Sequence, residues 1–344
     1  MILSYIADKR YEDIFRYELR YSFLHFKYVE ITVESRNGYI KNSTENKSIF
    51  PKHRKIIDLD ENELDSFLVS FRENLYGHEK FKDDFSELVK NFRIFNKLGE
   101  HKILSLFLMG ESGVGKTEVA RALYKCLGGK KKIAKVNFGN YSSEFSLSSL
   151  IGSARGYIGS EDGEIFIRVR DSDIGIILID EFEKSNATLF NYFLDVLESG
   201  KIISSLAEEI DLNGFIIVFT SNISKADFKS RIFPELRSRF DYKGLFTLLY
   251  NTDKKKFVEF RVKSIIRKFN LEFEHKLNDD LLEYFLSQID VSKFNNMRDL
   301  NKKIKKVFVD YVSSMTDYVE VENNVPKAGF GKRLLRKLVN DSSK

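Results

Sequence analysis

The spacing of apolar residues along this chain predicts two kinds of element in its central part. From Glu79 to Leu98, apolar residues recur every three or four positions, which predicts an amphipathic helix. Short and almost wholly apolar runs then alternate with further helical patterns. The apolar runs are ILSLFLM, KIAKVNF, GIILI and GFIIVFT, and the helical patterns are KTEVARALYKCL and NATLFNYFLDVLES. Continuous apolar strands separated by amphipathic helices predict an α/β fold, in which helices cover both faces of a parallel sheet.

Different patterns lie on either side of this α/β region. Before it, aromatic residues are interleaved with charges, and the alternation from about Ser22 to Val33 predicts a strand followed by a hairpin turn. After it, helical patterns dominate. We therefore expect an N-terminal accessory region, a large α/β domain, a small helical domain and a basic tail. A β-rich core is favoured for the accessory region over a partner-binding surface. The expected bounds of the four parts are 1–70, 71–244, 245–321 and 322–344.

Composition is that of a globular protein, and it leaves the class of partner open. Hydrophobic residues make up 42% of the 344 residues, which is ample for a buried core. The 56 Lys and Arg residues exceed the 51 Asp and Glu residues too little to indicate nucleic-acid binding without a clustered basic patch. Any functional argument must therefore come from motifs.

The single cysteine and the lengths of the apolar runs bear on where the protein works. One cysteine, Cys126, excludes a disulfide framework and a cysteine-based zinc site, which favours a reducing, cytoplasmic location. No apolar run approaches the ~18 residues that a membrane span needs, and charges already occur within the first ten residues. We expect neither membrane insertion nor export.

Directly after the predicted strand ILSLFLM stands GESGVGKT, which leads into a helical pattern. This is the phosphate-binding loop pattern in the strand-to-helix context that it requires, and a glycine-rich turn without a ligand is the alternative. Its glycines let backbone amides converge on phosphate oxygens at the positive end of a helix. Lys116 supplies a positive charge for the β- and γ-phosphates, and the hydroxyl of Thr117 is suited to bind Mg²⁺. The expected nucleotide-binding residues here are Gly110, Glu111, Ser112, Gly113, Val114, Gly115, Lys116 and Thr117.

Polar residues end the next two predicted core strands. Asp180 and Glu181 follow GIILI, at the edge of the sheet where parallel strands place their ligands. Asp180 is suited to hold Mg²⁺ and Glu181 to orient or deprotonate the attacking water, although such an acidic pair can also cap the next helix. Asn222 follows GFIIVFT, where it can hydrogen-bond the γ-phosphate and the water or act as a helix N-cap. The sequence therefore predicts a site for ATP and Mg²⁺ at this edge.

With these motifs on successive elements, the sequence resembles the AAA+ ATPases, and specifically the Clp-type unfoldase and disaggregase group. The resemblance runs from about Tyr76 to Val321 and includes DEFEK, since in that group the acidic pair is followed by a glutamate and a lysine. It implies an AAA+ large α/β domain followed by a small helical domain. It also implies that Gly77 and His78, which match a box that contacts adenine in that group, bind the nucleotide base.

The same resemblance implies roles for two arginines. PELRSRFD aligns with an element whose final arginine reaches the γ-phosphate of the neighbouring subunit, so that Arg239 is the expected finger and Arg237 its substitute. Arg298 aligns with a second sensor arginine, although the glycine and alanine that precede it in the family are replaced by Asn296 and Met297. A guanidinium can bridge phosphate oxygens, whereas a surface salt bridge is the alternative reading for each arginine.

One loop motif completes the resemblance. Gly156-Tyr157-Ile158-Gly159 lies between the phosphate-binding loop and the acidic pair, where the Clp-type group has a loop that projects into the central pore of a hexamer. The resemblance implies that Tyr157 and Ile158 press on an extended client polypeptide, and glycines would let such a loop move. A turn whose tyrosine packs onto the core is the alternative.

The resemblance as a whole implies an ATPase that forms a single homo-oligomeric ring, expected to be a hexamer, and threads or unfolds a client protein. The alternative is a nucleotide-gated assembly module of a defence or signalling complex, which would not need Tyr157. A nucleic-acid motor ranks third, because the lysine runs carry no base-stacking signature. Only ISKADFKSRIF separates Asn222 from Pro234, which leaves no room for the insertion that docks a peptidase in some Clp chaperones. No such peptidase partner is expected.

Overall fold

A computed structural model of the chain describes residues 53–141, 146–153, 163–273, 277 and 281–322. The chain divides into two compact units, Met1–Phe50 and Pro51–Lys344, and the described residues belong to the second. The strand predicted from about Ser22 to Val33, the loop residues Tyr157 and Ile158, and the basic tail lie outside the described residues.

The described helices and strands alternate in the central region and become purely helical after it. The helices are α1 Glu61–Asn74, α2 Glu79–Lys97, α3 Lys116–Cys126, α4 Ser146–Ile151, α5 Glu164–Asp171, α6 Ala187–Ser199, α7 Lys225–Arg231, α8 Pro234–Ser238, α9 Asn251–Phe273, α10 Leu281–Gln288 and α11 Met297–Glu322. The strands are β1 Leu104–Met109, β2 Ala134–Asn137, β3 Ile176–Asp180, β4 Lys201–Ile203, β5 Glu209–Asp211, β6 Ile216–Ser221 and β7 Tyr242–Leu245.

Five of these strands form one sheet in the order β2-β3-β6-β1-β7, and each neighbouring pair runs parallel. Parallel neighbours need long crossover connections, which the intervening helices supply. Strands β4 and β5 pair separately as a short antiparallel ribbon. The predicted parallel α/β fold is therefore confirmed.

The apolar strands are continuous because both faces of the sheet are buried. In β1, Leu104, Leu106 and Leu108 pack on one face with residues of α1, α2 and α3. Phe107 and Met109 point to the opposite face, where they pack with residues of α5, α6, α7 and α8. This alternation follows from the two-residue period of a strand. An apolar run with no polar alternation is the pattern that such two-sided burial produces.

Helix α1 lies within the core of the α/β domain, and the domain boundary expected at residue 70 falls inside this helix. The carboxylate of Asp60 accepts a hydrogen bond from the backbone N–H of Glu63, and the Glu63 carboxylate accepts one from the N–H of Asp60, so a capping box begins the helix. Phe71 on its buried face contacts the rings of Phe81 and Phe85 on α2. The aromatic residues of this stretch thus belong to the core on the α3 side of the sheet.

The C-terminal helices α9, α10 and α11 pack around an apolar core of their own, which includes Val262, Phe285 and Ile304. One backbone contact links this bundle to the loop after β1, since the N–H of Met297 donates to the carbonyl of Gly113 at 3.1 Å. The start of α11 is thereby held beside that loop. No helix within the described ranges is both long enough and apolar enough to cross a membrane.

Replacing Phe71 by Ala tests whether α1 is part of this core. Phe71 is 2% exposed, so its removal leaves a cavity and should lower the free energy of unfolding by about 3–5 kcal/mol. Val69 on the same helix is 59% exposed, and Val69→Ala should change it by no more than about 0.5 kcal/mol. Urea unfolding of the full chain, followed by far-UV circular dichroism, measures both. Equal effects of the two substitutions would show that α1 does not pack as described.

Candidate active site

The register of the sheet brings the ends of three strands to one edge. Met109 at the end of β1 lies opposite Ser221 of β6, and Ile179 of β3 lies opposite Phe219 of β6. The residues that follow these strands therefore start from neighbouring positions. The phosphate-binding loop follows β1, Asn222 follows β6, and Asp180 is the last residue of β3, so all three lie at the edge where the sequence predicts them.

The loop after β1 has a backbone that requires glycine. Gly110, Gly113 and Gly115 have φ angles of 135°, 84° and 105°, a region that residues with a Cβ rarely adopt. A Cβ on Gly110 would lie 2.1 Å from the carbonyl oxygen of Phe246, and one on Gly113 would lie 2.6 Å from Oδ1 of Asn296. Gly115 is the N-cap of α3, so the loop closes at the positive end of that helix. This is the geometry that a phosphate group needs.

Lys116, the first residue of α3, connects this loop to β6. Its Nζ donates to the carbonyl oxygens of Gly110 and Glu111, each at 2.6 Å, and to Oδ1 of Asn222 at 3.1 Å. The side chain is buried, and burial lowers the pKa of Lys116 to about 8, against the opposing effect of nearby carboxylates of Glu183 and Asp180. Lys116 and Asn222, which the sequence assigns separately to the nucleotide site, are thus in direct contact.

The N-cap of helix α7 is Ser224, two residues after Asn222. The hydroxyl of Ser224 accepts a hydrogen bond from the backbone N–H of Asp227, and the Asp227 carboxylate in turn accepts from Ser224. Ser224 therefore caps this helix, which was the alternative role for Asn222. Its amide oxygen is left to interact with Lys116.

Asp180 is held by two side chains that the sequence analysis did not connect to it. Lys135 of β2 donates from Nζ to Oδ2 at 2.6 Å, and the hydroxyl of Thr220 donates to Oδ1. Burial acts to raise the pKa of Asp180, but these two hydrogen bonds, the charge of Lys135 and a backbone hydrogen bond from Glu181 together hold the pKa below its ordinary value. Asp180 is therefore a carboxylate, and each of its oxygens accepts a hydrogen bond from a protein side chain.

Glu181 has an unusual backbone for a glutamate. Its φ is 58°, in the left-handed region, where a residue with a Cβ carries a strain of about 1–3 kcal/mol. Its Oε2 accepts from Nζ of Lys184 at 2.6 Å and approaches Gly139, where a Cβ would lie only 2.4 Å away. The side chain makes no cap hydrogen bond to the turn that follows, and Asn186 caps helix α6 instead. The strained turn thus directs Glu181 away from a capping role.

His78 lies against the phosphate-binding loop, and Gly77, directly before His78, lies beside Leu249 and Asp253. Both have positive φ angles, 65° and 58°, immediately before helix α2. The Nε2 of His78 is 3.0 Å from the carbonyl oxygen of Val114, and its ring centroid is 4.1 Å from that of Phe246. Burial lowers the pKa of His78, which favours the neutral ring. A neutral, partly stacked imidazole beside the loop is suited to contact a planar base.

The two arginines named by the family pattern have different surroundings. Arg298 at the start of α11 donates from Nη1 to the hydroxyl of Ser112 at 3.2 Å, so it lies at the phosphate-binding loop. Arg239 follows α8, and its guanidinium forms an ion pair with Glu198 of α6. Both side chains of that pair are nearly half exposed, and such pairs contribute about 0–1 kcal/mol. Arg239 can therefore exchange Glu198 for another anion at little cost.

Two residues of the site had only weak signals in the sequence. Lys135 interrupts the apolar run KIAKVNF with a charge, which indicates a partner for that charge but does not say which one. Asn296, whose Oδ1 accepts from the backbone N–H groups of Arg298 and Asp299, packs against Gly113 and holds α11 at the loop. In the sequence, the indication for Asn296 is only that it stands where the family pattern has a small residue.

Replacing Gly110 by Ala tests the backbone requirement of the loop. The added Cβ would clash with a backbone carbonyl, so binding of a fluorescent ATP analogue should weaken by about tenfold or more. Gly99→Ala is the matched control, because Gly99 also has a positive φ of 78° but has open space where a Cβ would lie. It should lower stability by only about 1–2 kcal/mol and leave the affinity unchanged. Equal affinities for the two variants would contradict this account of the loop.

Comparisons with known proteins agree with this geometry. A family model described as the AAA domain (Cdc48 subfamily) matches residues 101–279, which include the five-stranded sheet and its edge. The chain is 29% identical over 280 residues to the chaperone protein ClpB of Malacoplasma penetrans (strain HF-2), covering 74% of this chain and 38% of ClpB. It is 28% identical over 244 residues to the ATP-dependent Clp protease ATP-binding subunit ClpC of Staphylococcus aureus (strain USA300), covering 70% of this chain and 30% of ClpC.

The chain thus spans 38% and 30% of the lengths of these two relatives. The matched family residues extend from just before β1 to six residues past the end of α9, so they contain the phosphate-binding loop, the acidic pair and Asn222. The resemblance drawn from the motifs is confirmed. The chain belongs to the AAA domain family, as an AAA+ ATPase of the Clp type.

Proposed function

We propose that this chain binds and hydrolyses ATP with Mg²⁺ at the sheet edge formed by β1, β3 and β6. The observation that carries the proposal is the contact of Lys116 with both the phosphate-binding loop and Asn222, beside an ionised Asp180. A buried cation next to a glycine-rich helix N-terminus attracts phosphate groups. The membership in a family of ATPases supports the same reading.

The residues present suit Mg²⁺. Asp180 and Thr117 offer carboxylate and hydroxyl oxygens, which are the hard donors that Mg²⁺ prefers. Asp180 accepts hydrogen bonds from Lys135, Thr220 and the backbone of Glu181, which leaves one of the about four lone pairs of a carboxylate for the metal or for a water bound to it. When bound, Mg²⁺ would neutralise charge on the β- and γ-phosphate oxygens.

The remaining side chains divide the work of hydrolysis. Backbone N–H groups of the loop and the charge of Lys116 hold the phosphates, and Arg298 beside Ser112 adds a second cation there. Glu181 orients the attacking water and accepts its proton, after exchanging its present partner Lys184. Asn222 hydrogen-bonds the γ-phosphate or the water. His78 and Gly77 face the base.

Glu181→Gln should keep ATP binding and lose hydrolysis. The amide has nearly the same shape, so the phosphate contacts persist, but it is no longer a base that can accept a proton from water. We expect unchanged affinity for a fluorescent ATP analogue and a fall in kcat of at least about a hundredfold. Glu118→Gln, at an exposed glutamate of α3 that pairs with Arg121, is the control and should hydrolyse normally. Undiminished turnover by Glu181→Gln would remove Glu181 from this role.

The activity further requires a ring, which we propose to be a homo-oligomer and most simply a hexamer. Arg239 is paired with Glu198 of its own chain, in a half-exposed position from which it can reach a neighbouring subunit. A finger that acts on the next subunit's γ-phosphate needs head-to-tail contacts, which form a ring where the rotation between subunits closes and a filament where it does not. An isolated subunit would then hydrolyse ATP poorly.

We propose that the ring remodels protein clients by threading them past Tyr157 and Ile158. The described residues on either side of that loop are anchored: the N–H of Ser205 donates to the carbonyl of Ile151 at 3.2 Å, and the hydroxyl of Ser205 donates to the carbonyl of Ser153 at 3.0 Å. On the other side, Gly163 is the N-cap of α5. The chaperone among the relatives supports a remodelling role, and a peptidase partner is still not expected because α7 and α8 follow Asn222 with so short a connection.

Tyr157→Ala separates threading from gated assembly. If the tyrosine grips the client, unfolding of a tagged reporter protein should fall by about tenfold or more while ATP turnover continues. Tyr157→Phe keeps the aromatic ring and should retain most of the unfolding activity. If the wild-type chain hydrolyses ATP but neither unfolds a client nor responds to Tyr157→Ala, the ring acts instead as a nucleotide-gated assembly module.

A further inference from the structure

Ser105 is a buried polar residue inside the apolar strand β1. Its backbone N–H donates to Oδ2 of Asp241 at 2.7 Å. Its hydroxyl has two acceptors within reach, the backbone carbonyl of Arg239 at 2.8 Å and Oδ2 of Asp241 at 2.7 Å. In return, the N–H of Asp241 donates to the carbonyl and the hydroxyl oxygen of Ser105, each at 3.1 Å. A serine in the middle of the sheet is thus tied to the segment that carries Arg239.

The second oxygen of Asp241 is also bound. Its Oδ1 lies 3.1 Å from Nε2 of His101, and the hydrogen bond that His101 donates to Asp241 raises the pKa of His101 against the opposing effect of burial. Asp241 is therefore held from two sides, by the strand β1 and by the segment that precedes it. A carboxylate with this many donors has little freedom to move.

The neighbouring residues fix the same segment. Phe240, between Arg239 and Asp241, is 1% exposed and packs on the face of the sheet that contains Phe107. Lys243 of β7 donates from Nζ to the carbonyl of Phe240 at 2.7 Å. The backbone on which Arg239 stands is thus rigidly connected to the sheet, whereas its guanidinium is half exposed and held by Glu198 alone among the contacts of the described residues.

We infer that Ser105 and Asp241 are positioning residues for Arg239, which fix the backbone from which its guanidinium reaches the nucleotide of a neighbouring subunit. The inference rests on the proposed shared site. A long side chain stabilises a developing charge only when its origin is well placed, because an error of about 1 Å can cost about a hundredfold in rate. Neither Ser105 nor Asp241 is among the residues proposed to bind the nucleotide. Their effect is exerted through the carbonyl and the backbone of residues 239–241.

The matched pair Ser105→Thr and Ser105→Val tests this inference with the least disturbance. Threonine and valine have nearly the same shape and branch at Cβ in the same buried position, but valine has a methyl group where threonine keeps the hydroxyl that holds Arg239. We expect Ser105→Val to lower kcat for ATP by about tenfold or more, with KM changed by no more than about twofold. Ser105→Thr should keep most of the wild-type kcat. Asp241→Ala and Asp241→Asn form a second pair, in which asparagine keeps one acceptor oxygen for Ser105.

Mixing experiments distinguish positioning in the neighbouring site from damage to the subunit's own fold. Lys116→Ala subunits have a disabled phosphate site but an intact Arg239, whereas Ser105→Val subunits have an intact phosphate site and a misplaced Arg239. In mixed rings the intact phosphate site of a Ser105→Val subunit can meet the intact Arg239 of a Lys116→Ala subunit. The ATPase activity of the mixture should therefore exceed the sum of the activities of the two variants measured separately. Arg239→Ala mixed with Lys116→Ala is the reference, because it tests the shared site itself.

The outcomes separate the two claims. If Arg239→Ala and Ser105→Val both recover activity when mixed with Lys116→Ala, the positioning role is supported. Suppose that Arg239→Ala recovers activity when mixed with Lys116→Ala. If Ser105→Val and Asp241→Ala are then fully active alone, or stay inactive when mixed with Lys116→Ala, the positioning role is wrong and the shared site stands. If Arg239→Ala is fully active alone or shows no recovery, the shared site is wrong, and the positioning role is overturned with it.

Discussion

The parallel pairing of β1, β3 and β6 is the constraint on which the rest of this molecule depends. Because the three strands run in the same direction and are buried on both faces, their carboxyl ends meet at one edge, where the backbone leaves the sheet and polar side chains can be tolerated. The phosphate-binding loop and Asn222 follow the ends of β1 and β6 directly, and Asp180 is the last residue of β3. Hydrophobic burial of the strands thus determines where the polar chemistry of the chain is concentrated.

Several groups at this edge are held in conformations or states that are unfavourable by themselves. Lys116 is a buried cation whose pKa is lowered to about 8, and Glu181 has a left-handed backbone. The surrounding structure compensates for them, since carbonyl oxygens and Asn222 surround the Lys116 ammonium and the apolar strand β3 leads directly into Glu181. Such strain at one edge of an otherwise regular sheet is typical of a functional site.

Strand β1 has two roles that are spatially distinct. Its last residue, Met109, leads into the phosphate-binding loop, while Ser105 near its start holds the backbone that carries Arg239. Only four positions along one buried strand separate the two. A strand that is paired on both sides and buried on both faces is among the most rigid parts of a domain. In a ring, one strand would therefore connect a subunit's own nucleotide site with the Arg239 that it contributes to the site of the next subunit.

The sequence by itself determined the parts of the protein that depend on short-range pattern. The parallel α/β fold, the helix beginning at Glu79 and the phosphate-binding loop could all be read from periodicity and from glycine spacing within a few residues, and the structure has them. Asp180 and Asn222 were placed at the same edge from their positions after apolar strands. The physical reason is that strand period, backbone conformation and helix polarity are local properties, which hold wherever the segment lies in the fold.

Only the tertiary structure decided which side chains complete the site. Lys135 binds Asp180 across 45 residues, Ser105 binds Asp241 across 136, and Arg298 reaches Ser112 across 186. The packing of helix α1 across the expected boundary at residue 70 is of the same kind. Such contacts depend on strand order and register, which pair segments far apart in the chain, and a single sequence carries no direct signal of that pairing. A charge or a serine in an apolar strand indicates that a partner exists, and the fold alone identifies it.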